Sequence, residues 1–109
     1  MPWLLRDGEV LASLEVADDR SSRRKGLLGR DGVDGALLLV PARSVHSIGM
    51  RFAIDVAWLD RDLTVLRTCR LARNRMTRPV FHSHAVLEAD AGAFARWGLC
   101  VGDQLERKD

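Results

Sequence analysis

A histidine and an aspartate, His46 and Asp55, sit within the stretch RSVHSIGMRFAIDVAWLD, residues 43–60. A carboxylate that accepts a hydrogen bond from an imidazole fixes its tautomer and supports its basicity, so the two form a candidate acid–base dyad. Hydrolysis by such a dyad also needs a nucleophile. Ser44 and Ser47 flank His46, but neither stands in a glycine-framed nucleophile turn, and adjacency in sequence is not hydrogen-bond geometry.

A strand is expected from Arg51 to Leu59, because Phe52, Ile54, Val56 and Trp58 alternate with Arg51, Ala53, Asp55 and Ala57. The alanines leave a shallow face around Asp55, where a ligand or another element could pack. Structural pairing of Asp55 with Arg51 or Arg30 is the favoured reading, since a lone aspartate without a defined partner more often folds than catalyses. Glu88 lies mid-strand in HAVLEAD and shares its face with Val86. Such a glutamate is partly buried and needs a cation, for which Arg30 is the expected partner.

Metal chemistry has weaker support. His82 and His84 fall on one face of an extended segment, and His46 or Glu88 could join them, but no HExxH or ordered Cys/His spacing exists. Cys69 and Cys100 are far apart and are expected as unpaired thiols. The run RTCRLARNRMTR places Arg67, Arg70, Arg73, Arg75 and Arg78 together without an acid. It lacks aromatic stacking residues, so a solvated loop is favoured over phosphate or nucleic-acid binding.

The elements that must position these groups are short. Asp7-Gly8 suits a tight hairpin turn between two strands in WLLRDGEVLASLEVA. Asp18 or Asp19 can cap a helix of about two turns that Gly26 ends, with Arg23, Arg24 and Lys25 in its last turn. GALLLVP reads as a buried central strand stopped by Pro41, and Gly49 as a bulge or bend. Strands are also expected in LTVLRTCRL, HAVLEAD and after Gly102-Asp103, and a second short helix in AGAFARWG. No alternating β-α units are expected. The class is mostly β, a small β-sandwich or partly open barrel of about seven to eight short strands with two short helices.

At 109 residues, with 47% hydrophobic and 29% charged residues, the chain suits one domain over residues 1–109 with a single core. The net charge of +2 is too small to argue for nucleic acid. No apolar run approaches the length of a membrane span, and MPWLLRDGEV does not have the pattern of a signal peptide. A cytoplasmic location is the default expectation.

Three segments, RRKGLLGR, VHSIGMRFAIDVAWLD and VLEADAGAFARWGLCVGDQL, together resemble the family called domain of unknown function 192. They are closest to a branch with a His-Ser/Thr-x-Gly-Met-Arg-Phe-x-Ile-Asp core. The matching positions are Gly26 to Arg30, then His46, Gly49, Met50, Arg51, Phe52, Ile54 and Asp55. Leu87, Glu88, Ala91 and Gly92 follow, and Gly102 and Asp103 close the pattern. Ala53 departs from the proline often found there. The resemblance implies a small β-sandwich and brings no established activity.

The resulting expectation is a binding or accessory module with a polar cleft formed by His46, Met50, Arg51, Asp55, Glu88 and Arg30. A hydrolase using His46 and Asp55 is the alternative, and nucleic-acid or phosphate binding through residues 67–78 the third. No cofactor and no metal are expected. The expected partner is a small ligand or protein, without membrane association, and the chain is expected as a monomer or weak dimer.

Overall fold

Local chemistry sets each element of the chain, described over residues 2–109 by a computed structural model. Asp7 and Gly8 both adopt positive φ, the signature of the tight turn that joins β1 (Trp3–Arg6) to β2 (Glu9–Ala17). Asp19 caps α1 (Arg20–Lys25): its side chain accepts from the Ser22 N–H at 2.7 Å, and Ser22 reciprocates. Gly26 ends the helix, donating its N–H to the Ser22 carbonyl. The remaining elements are β3 (Ala36–Leu39), β4 (Ile54–Leu59), β5 (Val65–Leu71), β6 (Ala85–Asp90), α2 (Ala93–Trp97) and β7 (Glu106–Lys108).

The fold is mostly β, with seven strands in one mixed sheet of order β5-β4-β6-β3-β2-β1-β7. The sheet curls without closing into a barrel. Its two ends approach where Thr64 bridges Gln104 and the Val65 N–H donates to the Asp103 carbonyl at 2.8 Å. One connection departs from the expected pattern, because β2 and β3 run parallel through a crossover that contains α1. That helix has no fully buried residue, so it carries no apolar stripe from which a β-α-β unit could be read.

Core packing occupies both faces of the sheet. On one face Leu14, Leu38, Ala57, Leu87 and Ala89 pack with Ala93 and Phe94 of α2. On the other, Leu37, Leu39, Val56, Trp58 and Val86 pack under Leu27 and Met50. The central strands are therefore continuous buried runs.

The expected strand from Arg51 is shorter than its alternation suggests, beginning at Ile54. Residues 47–50 form a turn in which the Met50 N–H donates to the Ser47 carbonyl, and Gly49 takes φ +81°. The Gly49 N–H is held by the Asn74 side chain at 3.0 Å. The chain leaves this turn through irregular residues 51–53, with Arg51 exposed and Phe52 half-buried. Alternating residue types there reflect two environments, without a ladder. The shallow face around Asp55 is the core face covered by α2, and Ala57, Ala89 and Ala93 leave room for the helix.

Candidate functional site

Glu88 anchors the site. In the pairing of β6 it stands opposite Leu37 of β3 and Val56 of β4, so its side chain emerges between two apolar neighbours. The residue is 3% exposed. It has neither a salt bridge nor a side-chain hydrogen bond among the described residues, and none of its polar atoms is sealed away without a partner, so its carboxyl oxygens reach the cleft. Burial alone pushes its carboxyl up to about 7.

Above Glu88 the chain passes at Gly26. A Cβ built on that glycine would lie 3.8 Å from Glu88 Oε1, and its φ of +48° disfavours any side chain. Leu27 then plugs into the core at 1% exposure. Next to it, a Cβ on Gly49 would meet Leu28 Cδ2 at 3.5 Å, which sets the 47–50 turn against the segment following α1. Between these pieces opens a cleft of about 390 Å³, with Glu88 in its lining. Leu27, Leu28, Leu39, Val45 and Met50 supply apolar wall, while Arg20, Arg24, Lys25, Arg43 and His46 supply basic side chains. Arg23 also borders the cleft, but its guanidinium is tied to the Asp18 and Val40 carbonyls. His46 Nδ1 accepts the Ile48 N–H at 3.3 Å, so the neutral ring carries its proton on Nε2.

Of the expected site residues, His46, Met50 and Glu88 come together in this cleft, with Met50 buried in its wall. The other three are elsewhere. Asp55 projects to the opposite sheet face, as Ala57 two residues along β4 and its register partner Ala89 do. Its Oδ2 accepts the N–H groups of Gly92 at 2.9 Å and Phe94 at 3.1 Å, and its Oδ1 accepts from Arg70 Nε at 3.2 Å. A His46–Asp55 dyad is therefore not formed. The sheet lies between them.

Arg30 does not pair with Asp55 or Glu88, because both of its terminal nitrogens bond Glu15 at 3.0 and 2.8 Å. That ion pair holds the Glu15 carboxyl below its ordinary range. Arg51 pairs with Asp31 at 2.8 Å on the surface. His82 and His84 line a separate depression with Phe81 and Arg61, which neither His46 nor Glu88 borders. No three His, Cys, Asp or Glu side chains gather for a metal among the described residues. Cys69 and Cys100 are free thiols, half-buried and exposed. The arginines of residues 67–78 do not share one face: Arg67 pairs in register with Trp58 and Arg70 with Asp55, on opposite sides of the sheet.

Sequence reasoning missed the basic side chains of α1 and Arg43 as cleft residues. The signal was available in one form only: Arg20, Arg24 and Lys25 immediately precede the Gly-Leu-Leu-Gly element. Read locally, they suit a helix C-terminus.

Two solved structures share this fold. A protein of unknown function from Novosphingobium aromaticivorans DSM 12444 superposes with a TM-score of 0.80 at 20% identity, over 96% of this chain and 83% of that one. A protein from Sinorhizobium meliloti 1021, described as a "putative transcription regulator", gives 0.78 at 26% identity over 97% and 91%. No curated protein matches the chain. The DUF192 family, described as uncharacterized ACR, matches over residues 4–107. The Gly26–Leu28, His46–Met50 and Glu88 segments of the expected pattern also converge on one cleft. The chain belongs to the DUF192 family.

Proposed function

We propose that the protein is a small-molecule-binding module whose ligand occupies the cleft over Glu88. One observation carries this reading: a buried carboxyl without a protein partner lies against a cleft of about 390 Å³. For folding alone such a group is a liability, since a buried charge without a partner costs several kcal/mol (~3 or more) and an apolar residue would pack as well. The cleft lies within the usual ligand range of about 300–1,000 Å³ and combines apolar wall with few polar groups.

The second reading is a proton-transfer enzyme. It is favoured by a carboxyl that titrates near neutrality in the same cleft as His46. No nucleophile accompanies them, and for this reason binding ranks first. Nucleic-acid binding finds little support in arginines that diverge across the sheet.

Amide chemical shifts in the presence of small carboxylates, phosphates, amines and amino acids test the reading. At least one class is expected to move Gly26, Met50 and Glu88 together while leaving Thr68, on the Asp55 side, in place. A panel that moves none of the three at millimolar concentration removes the binding reading.

A further inference from the structure

Charge in the cleft has two poles separated by apolar wall. Glu88 is buried in the sheet face. Arg24 and Lys25 are exposed on α1, and Arg43 is exposed on the segment after β3. Leu27, Leu39 and Met50 are buried parts of the wall. None of Arg20, Arg24, Lys25 and Arg43 has a carboxylate partner among the described residues.

Resting on the small-ligand reading above, we infer that the ligand is bipolar. An amine at its inner end bonds Glu88, an apolar body lies on the leucine and methionine wall, and a carboxylate or phosphate sits among the basic side chains at the rim.

The inner group follows from what Glu88 lacks. An ionised carboxylate only accepts hydrogen bonds, and the protein gives this one no donor; an ammonium offers three donors and cancels its charge. A hydroxyl would supply a donor and leave the buried charge uncompensated. The outer group follows from the rim, where Arg20, Arg24 and Lys25 have no acid partner, beside an Arg43 whose guanidinium lies 5.8 Å from the Phe81 ring centroid, and together they favour an anion and repel a purely cationic molecule. A purely anionic molecule satisfies the rim but leaves Glu88 bare or requires it protonated. Only opposite charges at the two ends match both poles.

Binding is then linked to protonation of Glu88, and the sign differs between ligands. An amine stabilises the ionised form, so its binding strengthens as pH rises through about 7. The other charged or titratable groups of the cleft are Arg20, Arg23, Arg24, Lys25, Arg43 and His46. Leu37 and Val56 flank Glu88, and Cys69, next in that row on β5, has its thiol pushed up by burial. His46 lines the same cleft, so it is replaced in the test to let Glu88 be read alone.

The test compares 6-aminohexanoate, 6-aminohexyl phosphate, hexanoate and hexylamine by calorimetry and amide shifts at pH 6 and pH 8. It uses the intact chain carrying His46→Gln, with and without Glu88→Gln. One of the two bipolar probes is expected to bind at least tenfold tighter than hexanoate and hexylamine, and the better one assigns the outer group. The affinity of 6-aminohexanoate, whose own charges do not change in that range, should rise about tenfold from pH 6 to pH 8, and Glu88→Gln should abolish the bipolar preference and, for that probe, the pH dependence. If hexanoate binds the cleft as well as the bipolar probes, or Glu88→Gln changes nothing, the bipolar ligand is wrong while cleft binding stands. If no probe moves Gly26 or Met50, the bipolar ligand is wrong, and the binding reading falls only if the wider panel on the unsubstituted chain is silent as well.

Discussion

At the scale of single residues, Glu88 and Arg30 show how an ion pair expected from sequence can dissolve. Glu88 is mid-strand on the Val86 face, and its burial was legible from that alternation. Its isolation was not. Arg30 reaches Glu15 of β2 instead, and which arginine meets which acid depends on loop paths that no local pattern encodes. The consequence is measurable. The carboxyl is raised from an ordinary value near 4.5 to about 7, so between those values the native state holds a proton that the unfolded chain has released. Stability from this group is thus present in full below about 4.5 and lost as pH rises through about 7. The parent is expected to lose up to about 3 kcal/mol across that window relative to Glu88→Gln, which has no such titration. Urea titrations of both proteins at pH 5 and pH 8 supply the difference, and a parent that gains stability relative to the variant at pH 8 would show Glu88 to be paired.

At the scale of elements, α2 depends on a residue far away in sequence. Five residues cannot sustain a helix alone, and its N-cap Gly92 has no side chain to offer. Asp55 supplies the missing acceptor from β4, receiving the Gly92 and Phe94 N–H groups on one oxygen. The local cap of α1 was readable because Asp19 and Ser22 are three residues apart. The Asp55 cap was not, because strand and helix meet only in the folded sheet. What was visible was its footprint, an aspartate between alanines. Asp55→Ala leaves those N–H groups without an acceptor and frees Arg70, whose side chain is 61% exposed and readily hydrated. A loss of about 3 kcal/mol is expected, nearly all from the helix end, with Asp55→Asn costing about half because one oxygen remains. Denaturant midpoints of the two variants provide the check. Arg70→Ala should cost less than about 1 kcal/mol, and an equal loss there would place the stabilisation in the ion pair and not in the cap.

Across the whole molecule, the strands were legible because hydrophobic alternation and turn residues are local, whereas their order was not. Nothing in the period of β2 or β3 announces that they run parallel, and nothing near either end announces that the sheet curls until residues 102–105 meet the start of β5. Arg6 stands at that junction. Its guanidinium, at the end of β1, donates to the Trp97 and Gly98 carbonyls at the end of α2 and to Asp103 Oδ2 at 2.9 Å. The Cys100 N–H and Arg6 together hold the Asp103 carboxyl below its ordinary range, so the junction should persist into mild acid. The neighbouring backbone completes it, with Gly102 N–H donating to Val65 and Leu105 N–H to Leu63. Arg6 thereby ties β1, α2 and the approach of the two sheet edges through one planar group. Arg6→Ala is expected to cost about 2 kcal/mol, and Arg6→Lys to recover less than half, because an ammonium cannot reproduce the fork that reaches three oxygens. Hydrogen exchange locates the effect. In Arg6→Ala the amides of Gly102, Val65 and Leu105 should lose protection, while Leu38 and Leu87 in the central strands keep theirs apart from the global loss. If protection at the junction is unchanged and the central strands alone weaken, the edges are held by the Leu105 core contact, and Arg6 contributes only charge.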